Sequence, residues 1–367
     1  MKMNKKRILH LISGLEIGGA EKQLLRILPE LQGDFDNRVC CIRGHGSIGK
    51  LLEKKGIKVH YLNIKNIFSP NLIVRFKRVV EEFKPDTLVT YLIHADLYGR
   101  VLAKLCGIRK VLCSQRGILL NWEWLRFFDR LTKSLVTKYT VQTEVTKKEL
   151  MQKLKLPEKK FIIIPNGIMV EEFDFDLNVE NKKAELNINP NNLNVVCVSN
   201  LRIKKGHEFL LEAFEKTYKT NNNINLLIVG DGDRKKSLIE QVRDYDSRDN
   251  IYFLGNRNDV REILKISDIF VLPTLGEGMS NAILEALASS LPVITTNIPV
   301  NAEIITDNVD GLLVSPKQSK ELADKIKFLI DNPEIREKIG ANGRSLVERE
   351  YAISKISSKW SGTLKNL

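Results

Sequence analysis

The sequence predicts an α/β protein of two Rossmann-like domains, each a parallel sheet covered by helices. Three observations carry that prediction. Short runs rich in Val, Ile and Leu alternate with helical-period stretches along nearly the whole chain, the mark of strands buried on both faces of a parallel sheet. The alternation comes as two series, separated by a polar segment at 171–192 with six acidic residues, several asparagines and Pro190. The length, 367 residues, exceeds one domain of about 100–200 residues.

The first series offers strands at 7–12, 38–42, 58–62, 87–91, 110–114, 138–142 and 161–165, with helical periodicity at 21–31 and 72–82 among the intervening stretches. The second offers strands at 193–199, 224–229, 251–254, 269–272, 292–296 and 311–314, with helical patterns such as 207–219 and 233–244. The seam opens at Asn166-Gly167. We therefore expect an N-terminal domain at 1–172, a C-terminal domain at 173–344, and an amphipathic helical tail at 345–367, carrying Trp360, that packs back on the N-terminal domain. No internal repeat of solenoid length is present.

Hydrophobic residues at 43% and charged residues at 28% are ordinary for a soluble globular protein. The charge is not ordinary. The net +13 is concentrated in residues 1–170, with 32 Lys and Arg against 15 Asp and Glu; residues 171–367 have 26 against 30. A basic half suits an anionic partner: nucleic acid, a phospholipid surface or a phosphate-bearing substrate. Five cysteines (Cys40, Cys41, Cys106, Cys113, Cys197) show no CxxC and no metal-ligand spacing, which reads as reduced thiols. The basic head at 1–7 and apolar run at 8–12 mimic a secretory leader, but the apolar part is too short. No apolar run of 18 residues exists, so any membrane contact is peripheral.

Three segments could carry chemistry. Ser13 to Glu21 holds Gly14, Gly18 and Gly19 between the first strand and first helix, where backbone can approach a ligand and helix N–H groups can meet an anion. It fits neither a dinucleotide fingerprint nor a Walker loop, and an ordinary tight turn would look the same. Asn200 to His207 brings Arg202, Lys204 and Lys205 to the carboxyl end of a strand, a place for a diphosphate or simply a solvated basic loop. Thr274 to Ala286 follows a strand and opens a helix. There Gly278 to Asn281 expose backbone N–H groups, Glu277 suits sugar hydroxyls, and Glu285, inside an apolar helix, needs a donor partner.

These residues resemble the retaining GT-B glycosyltransferases of glycosyltransferase family 4. The hallmark Glu-x7-Glu is met by Glu277 and Glu285 within EGMSNAILEALASSLPVI. GGAEKQLL (18–25) and PNGI (165–168) match the first domain. LRIKKGHEFLLEAF (201–214), LLIVGDG (226–232) and FLGNRNDVREILKISDIFVLPT (253–274) match the second. The resemblance implies two domains facing across a cleft. It implies that Gly18 and Gly19 approach the donor diphosphate and acceptor, and that Arg202 and Lys205 neutralise the leaving nucleoside diphosphate. Glu277 with Gly278, Met279, Ser280 and Asn281 would hold the donor sugar, Glu285 the ribose, and the loop ending in Gly255, Asn256 and Arg257 the base. His94 occupies the place of the family's active-site histidine, at a strand's carboxyl end. The chain departs from the family at Ser280 (often Pro), at Ser290 (often Gly) and at Ser199-Asn200 (commonly Gly-Arg), which leaves Arg202 as the nearest arginine.

The expected function is metal-independent transfer of a sugar from a nucleotide-sugar, a UDP-sugar by family resemblance, to a glycan or polyprenyl-diphosphate (lipid-linked) acceptor in bacterial surface polysaccharide synthesis. No cofactor and no metal are expected. The pairs Asp174/Asp176 and Asp244/Asp246 read as surface charge, and Asp231/Asp233 as a helix-starting turn with an Asp cap. The expected location is the cytoplasm, peripheral on the inner face of the cell membrane. The segment 121–135 interleaves Trp122, Trp124, Phe127 and Phe128 with Arg and Lys; it is either a core-facing helix or an interfacial one against an anionic membrane surface. Two other functions compete. A nucleotide-sugar 2-epimerase shares the architecture, and a nucleic-acid-binding protein would share the charge but lacks any recognition module.

Overall fold

The computed structural model describes residues 5–66, 69–115 and 123–367, without the side chains of 123–126. In chain order the elements are β1 (Lys6–Ile12), α1 (Gly19–Leu31), β2 (Phe35–Cys41), α2 (Ser47–Lys54), β3 (Lys58–Tyr61), α3 (Asn71–Phe83), β4 (Thr87–Tyr91), α4 (Ile93–Leu105), β5 (Lys110–Ser114), α5 (Glu123–Thr132), β6 (Lys138–Val141), α6 (Glu144–Leu154) and β7 (Phe161–Ile163). They continue with α7 (Val179–Glu185), β8 (Leu193–Val198), α8 (His207–Tyr218), β9 (Ile224–Val229), α9 (Lys235–Gln241), β10 (Ile251–Gly255), α10 (Val260–Lys265), β11 (Ile269–Leu272), α11 (Asn281–Ala288), β12 (Val293–Thr296), α12 (Pro299–Ile304), β13 (Leu312–Val314), α13 (Ser319–Asp331), α14 (Pro333–Glu350) and α15 (Ile353–Lys365).

Two compact units result: residues up to Gly167 together with Ile353–Leu367, and Ile168–Ala352. The first has a seven-stranded parallel sheet in the order β3-β2-β1-β4-β5-β6-β7; the second has a six-stranded one in the order β10-β9-β8-β11-β12-β13. The division falls at 167/168 because Ile168, Val170 and Phe173 are already buried in the core of the second unit. The tail that rejoins the first unit starts at Ile353. The expected start at 345 falls inside α14, whose Leu346 and Val347 are packed in the second core. Trp360 of α15 is buried beside Tyr91, while Lys6 donates to the Leu364 carbonyl and Ser361 and Lys365 both donate to Asp34.

The leader-like start is an interior strand of the first sheet. Residues 8–12 are buried and β1 pairs with both β2 and β4. Strand β2 begins three residues before the expected position. Phe35, Asp36 and Asn37 pair with Lys6, Arg7 and Ile8, and Asn37 accepts from the buried His10 ring, so tertiary pairing overrides the turn preference of Asp and Asn. The helical pattern at 233–244 yields only α9, which ends at Gln241, so Asp244 and Asp246 lie in the turns that follow.

Each sheet reverses its winding direction once, between β1 and β4 in the first unit and between β8 and β11 in the second. At such a switch point neighbouring loops leave the carboxyl strand ends in opposite directions and open a crevice, where ligands of open α/β sheets bind.

Candidate functional site

In the first unit the loops after β1 and β4, which flank the switch point, meet around a pocket of about 500 Å³. The β1 loop supplies Ser13, Gly14, Leu15 and Glu16, the β4 loop Leu92 and His94, and the β2 loop Arg43, Gly44 and His45; Glu21 of α1 completes the lining. Gly18 is the N-cap of α1 and Gly19 its first residue, so the helix start opens beside this pocket. The Glu21 carboxylate folds back over Gly18 into the space that a side chain there would need, the arrangement of a capping-box acid at the third helical position. His94 stands in the first turn of α4 rather than on the strand itself, half-buried.

Between β4 and α4, Leu92 adopts φ +68, a left-handed backbone that a branched residue holds only under constraint. Asp96, fully buried in the first turn of α4, accepts from Thr90 at the end of β4 and from Gln115 after β5. Burial pushes its pKa up to about 7, against the opposing pull of Arg100 and the Thr90 hydrogen bond. Arg100, also fully buried, pairs with the buried Asp129 of α5.

In the second unit the site again draws on both strands at the switch point. Lys205, following β8, forms an ion pair with Glu277, following β11; both side chains are largely buried at 15% and 13% exposure. Lys205 stands just before Gly206, whose φ is +68 and whose missing side chain makes room for the Pro273 carbonyl, so a glycine is required for this approach. The two loops are stitched together where Thr274 Oγ1 and Leu275 N donate to the Lys204 carbonyl at 3.0 and 2.7 Å. His207 shares a 3.0 Å hydrogen bond with Ser199, and burial holds its pKa down at about 4. Arg202 is exposed.

Beyond Glu277, Gly278 leads to Ser280, the N-cap of α11, whose hydroxyl accepts from Ile283 N at 3.4 Å. The hydroxyl thus holds the helix entry at the position where the family often has proline. Asn281 is the first helical residue, while Met279 and Glu285 are buried. This helix start offers N–H groups to a bound anion beside a lysine and a carboxylate that can take hydroxyls. Ser290 takes φ +57, which accounts for the family's preference for glycine there.

Gly255, at φ +65, closes β10 and Asn256 follows it. The Arg257 guanidinium is committed elsewhere, to Asp259 at 2.5 and 2.8 Å and Glu185 at 3.1 Å. These join Lys182 and Glu262 in a cluster that fastens α7 to α10, and the Arg257 and Lys182 hydrogen bonds hold the Asp259 carboxyl well below its ordinary range. Asp231 does not cap α9: it accepts from Gly232 N and pairs with Lys235, and Arg234 is the N-cap.

Sequence reasoning missed Arg43, His45, Leu92 and Asp96. Glycine interleaving in Arg43-Gly44-His45-Gly46 was the available signal for the first two; nothing local marks Leu92 or Asp96. On α5, Phe127, Phe128 and Leu131 are 60%, 50% and 60% exposed, so these three do not face the core. Trp122 and the Trp124 side chain lie outside the described residues. Among the described residues no helix is long and apolar enough to cross a membrane.

Residues 17–172 match the family model described as Glycosyltransferase Family 4, and residues 178–346 the model described as Glycosyl transferases group 1. The chain is 27% identical, over 95% of both chains, to the UDP-Gal:alpha-D-GlcNAc-diphosphoundecaprenol alpha-1,3-galactosyltransferase of Escherichia coli. It is 30% identical over 53% of its length, and 51% of the relative's, to the N,N'-diacetylbacillosaminyl-diphospho-undecaprenol alpha-1,3-N-acetylgalactosaminyltransferase of Campylobacter jejuni. In fold it is similar to Anabaena HepE, solved with UDP and glucose, at TM-score 0.89 and 20% identity, covering 99% of this chain and 100% of that one.

Proposed function

This chain belongs to glycosyltransferase family 4, and on that premise we propose that it transfers a sugar from a UDP-sugar to a lipid-linked glycan acceptor in bacterial surface polysaccharide synthesis. The observation that carries the reading is the Lys205–Glu277 pair, set at the second sheet's switch point and followed directly by the N-terminus of α11. In this reading Lys205 and Arg202 take up the negative charge that develops on the departing nucleoside diphosphate. The N–H groups from Gly278 to Asn281 add to that stabilisation, so fixed charges and dipoles serve where a divalent cation otherwise would. Glu277 holds sugar hydroxyls, Glu285 the ribose, and the backbone at Gly255 and Asn256 the base. Gly18 and Gly19 let the first unit's backbone approach the donor, and His94 orients the sugar by hydrogen bonding.

Transfer proceeds with retention. The acceptor hydroxyl attacks the anomeric carbon on the face the diphosphate leaves, and the leaving phosphate oxygen takes the hydroxyl's proton. The protein contributes positioning and charge stabilisation. The diphosphoundecaprenol acceptors of the Escherichia coli and Campylobacter jejuni relatives support the lipid-linked acceptor here. The exposed apolar side of α5, on the strongly basic first half of the chain, supports peripheral contact with an anionic membrane face.

The test is a panel of UDP-, GDP-, ADP- and dTDP-sugars in equilibrium binding, followed by incubation of the tightest binder with the protein alone and then with a lipid-linked acceptor. Binding restricted to UDP-sugars, with turnover only when acceptor is present, is the expected outcome. Release of an epimer from the donor alone would instead establish the 2-epimerase alternative.

A further inference from the structure

We infer that Arg43 and His45, on the loop between β2 and α2, form the subsite that receives the diphosphate of the acceptor, separate from the Arg202 and Lys205 group assigned to the donor diphosphate. The assignment rests on the transferase reading above and names what the first unit's pocket must hold.

The loop is built to fixed dimensions. Arg43 N donates to the Ser13 carbonyl at 3.1 Å and Ile48 N to the Leu15 carbonyl at 3.0 Å, while Asn63 N donates to the Arg43 carbonyl at 3.3 Å. Gly46 lies flush against the Leu15 carbonyl, with no room for a side chain. The backbone is thus pinned from both neighbouring loops, and only the two side chains remain to reach into the pocket.

Neither side chain is paired with a carboxylate among the described residues. The Arg43 guanidinium is exposed and makes no ion pair or side-chain hydrogen bond among the described residues. Elsewhere in this unit Arg7, Arg38 and Arg100 are all matched with carboxylates. His45 is held by its ring face against Tyr61, centroids 3.8 Å apart, which fixes the plane of the imidazole.

A guanidinium fork matches two oxygens of a phosphate at once, and such charge-assisted contacts are stronger than neutral ones. Of the two carboxylates in the lining, Glu21 is turned back over Gly18. Glu16 is exposed, where solvent and salt screen its repulsion of an anion. His94 lines the same pocket, so an acceptor sugar carrying a diphosphate could sit with its diphosphate on Arg43 and its hydroxyls toward His94. A pocket of about 500 Å³ is within the range that accommodates small molecules of that size.

The experiment compares two acceptors with the same sugar, one linked through a diphosphate to a short prenyl chain and one a neutral alkyl glycoside. In Arg43→Ala the ratio of kcat/KM for the diphosphate acceptor to that for the neutral one is expected to fall about 10–100-fold, the size of a lost charge-assisted contact. The loss should sit in the acceptor KM, Arg43→Lys should recover part of it, and His45→Gln should lower the ratio less. An unchanged ratio, or an equal loss on both acceptors, overturns the assignment. Binding of the diphosphate-linked sugar without donor separates this from the broader reading. Arg43-dependent binding without transfer from any UDP-sugar defeats the transferase reading and upholds the subsite. Transfer indifferent to Arg43 does the reverse.

Discussion

Two histidines show how single positions set the acid stability of this chain. His10 is buried between Tyr91 and Asn37, and burial lowers its pKa to about 4. His207, packed against Ser199, is likewise lowered by burial, then by Lys205, to about 4. Both start from an ordinary value of 6.5, so between pH 6.5 and about 4 the unfolded chain binds protons that the folded chain refuses. Stability therefore falls as pH drops through that window, by about 1.4 kcal/mol per pH unit for each proton of difference. Asp96, raised to about 7, works with the opposite sign from its ordinary 3.8 upward. That share is the same in wild type and in a histidine variant. His207→Asn should therefore flatten the dependence of unfolding stability on pH between 5 and 6 by about one proton. Chemical denaturation across that range measures it; an unchanged slope would mean that His207 is protonated in the folded state.

Among the elements, α5 departs most from what its sequence pattern suggests. Its apolar residues at 127, 128 and 131 face outward, while Asp129 is buried and fastened to Arg100. Among the described side chains of the helix, a buried ion pair is what ties it to the unit. Periodicity alone could not distinguish a core-facing stripe from an outward-facing one, because that depends on a partner 29 residues away. With Phe127 and Phe128 both replaced by serine, pelleting with vesicles containing anionic lipid should weaken about tenfold, the order expected for apolar surface no longer buried. Wild-type binding should itself fall as salt rises. Equal binding of both proteins would exclude α5 as the contact. Most other elements were legible, because strands buried on two faces write themselves as unbroken apolar runs: β4, β5, β9 and β11 have the expected ends. The start of β2 was hidden, since Asp36 and Asn37 belong to a strand only through β1 and His10.

At the scale of the molecule, the same division separates what could be read from what could not. The second unit's site was legible because Lys205, Glu277 and Glu285 lie in contiguous motifs at strand ends, and the topology then brings the first two into contact. The first unit's pocket was only half legible. Gly18 and His94 come from recognisable loops, but Arg43 and His45 reach the pocket through the order β3-β2-β1-β4, which no local motif encodes. The excess of basic residues sits in that half of the chain, the half that carries the proposed subsite for an anionic acceptor. Retaining transfer of a sugar to a lipid-linked acceptor is tested most directly by the anomeric configuration of the purified product. With an α-linked UDP-sugar and a diphosphate-prenyl acceptor, NMR should show a new α-glycosidic bond. His94→Ala should abolish most of its formation while leaving UDP-sugar binding in place. A β-linked product, or product formed at the wild-type rate by His94→Ala, would contradict it.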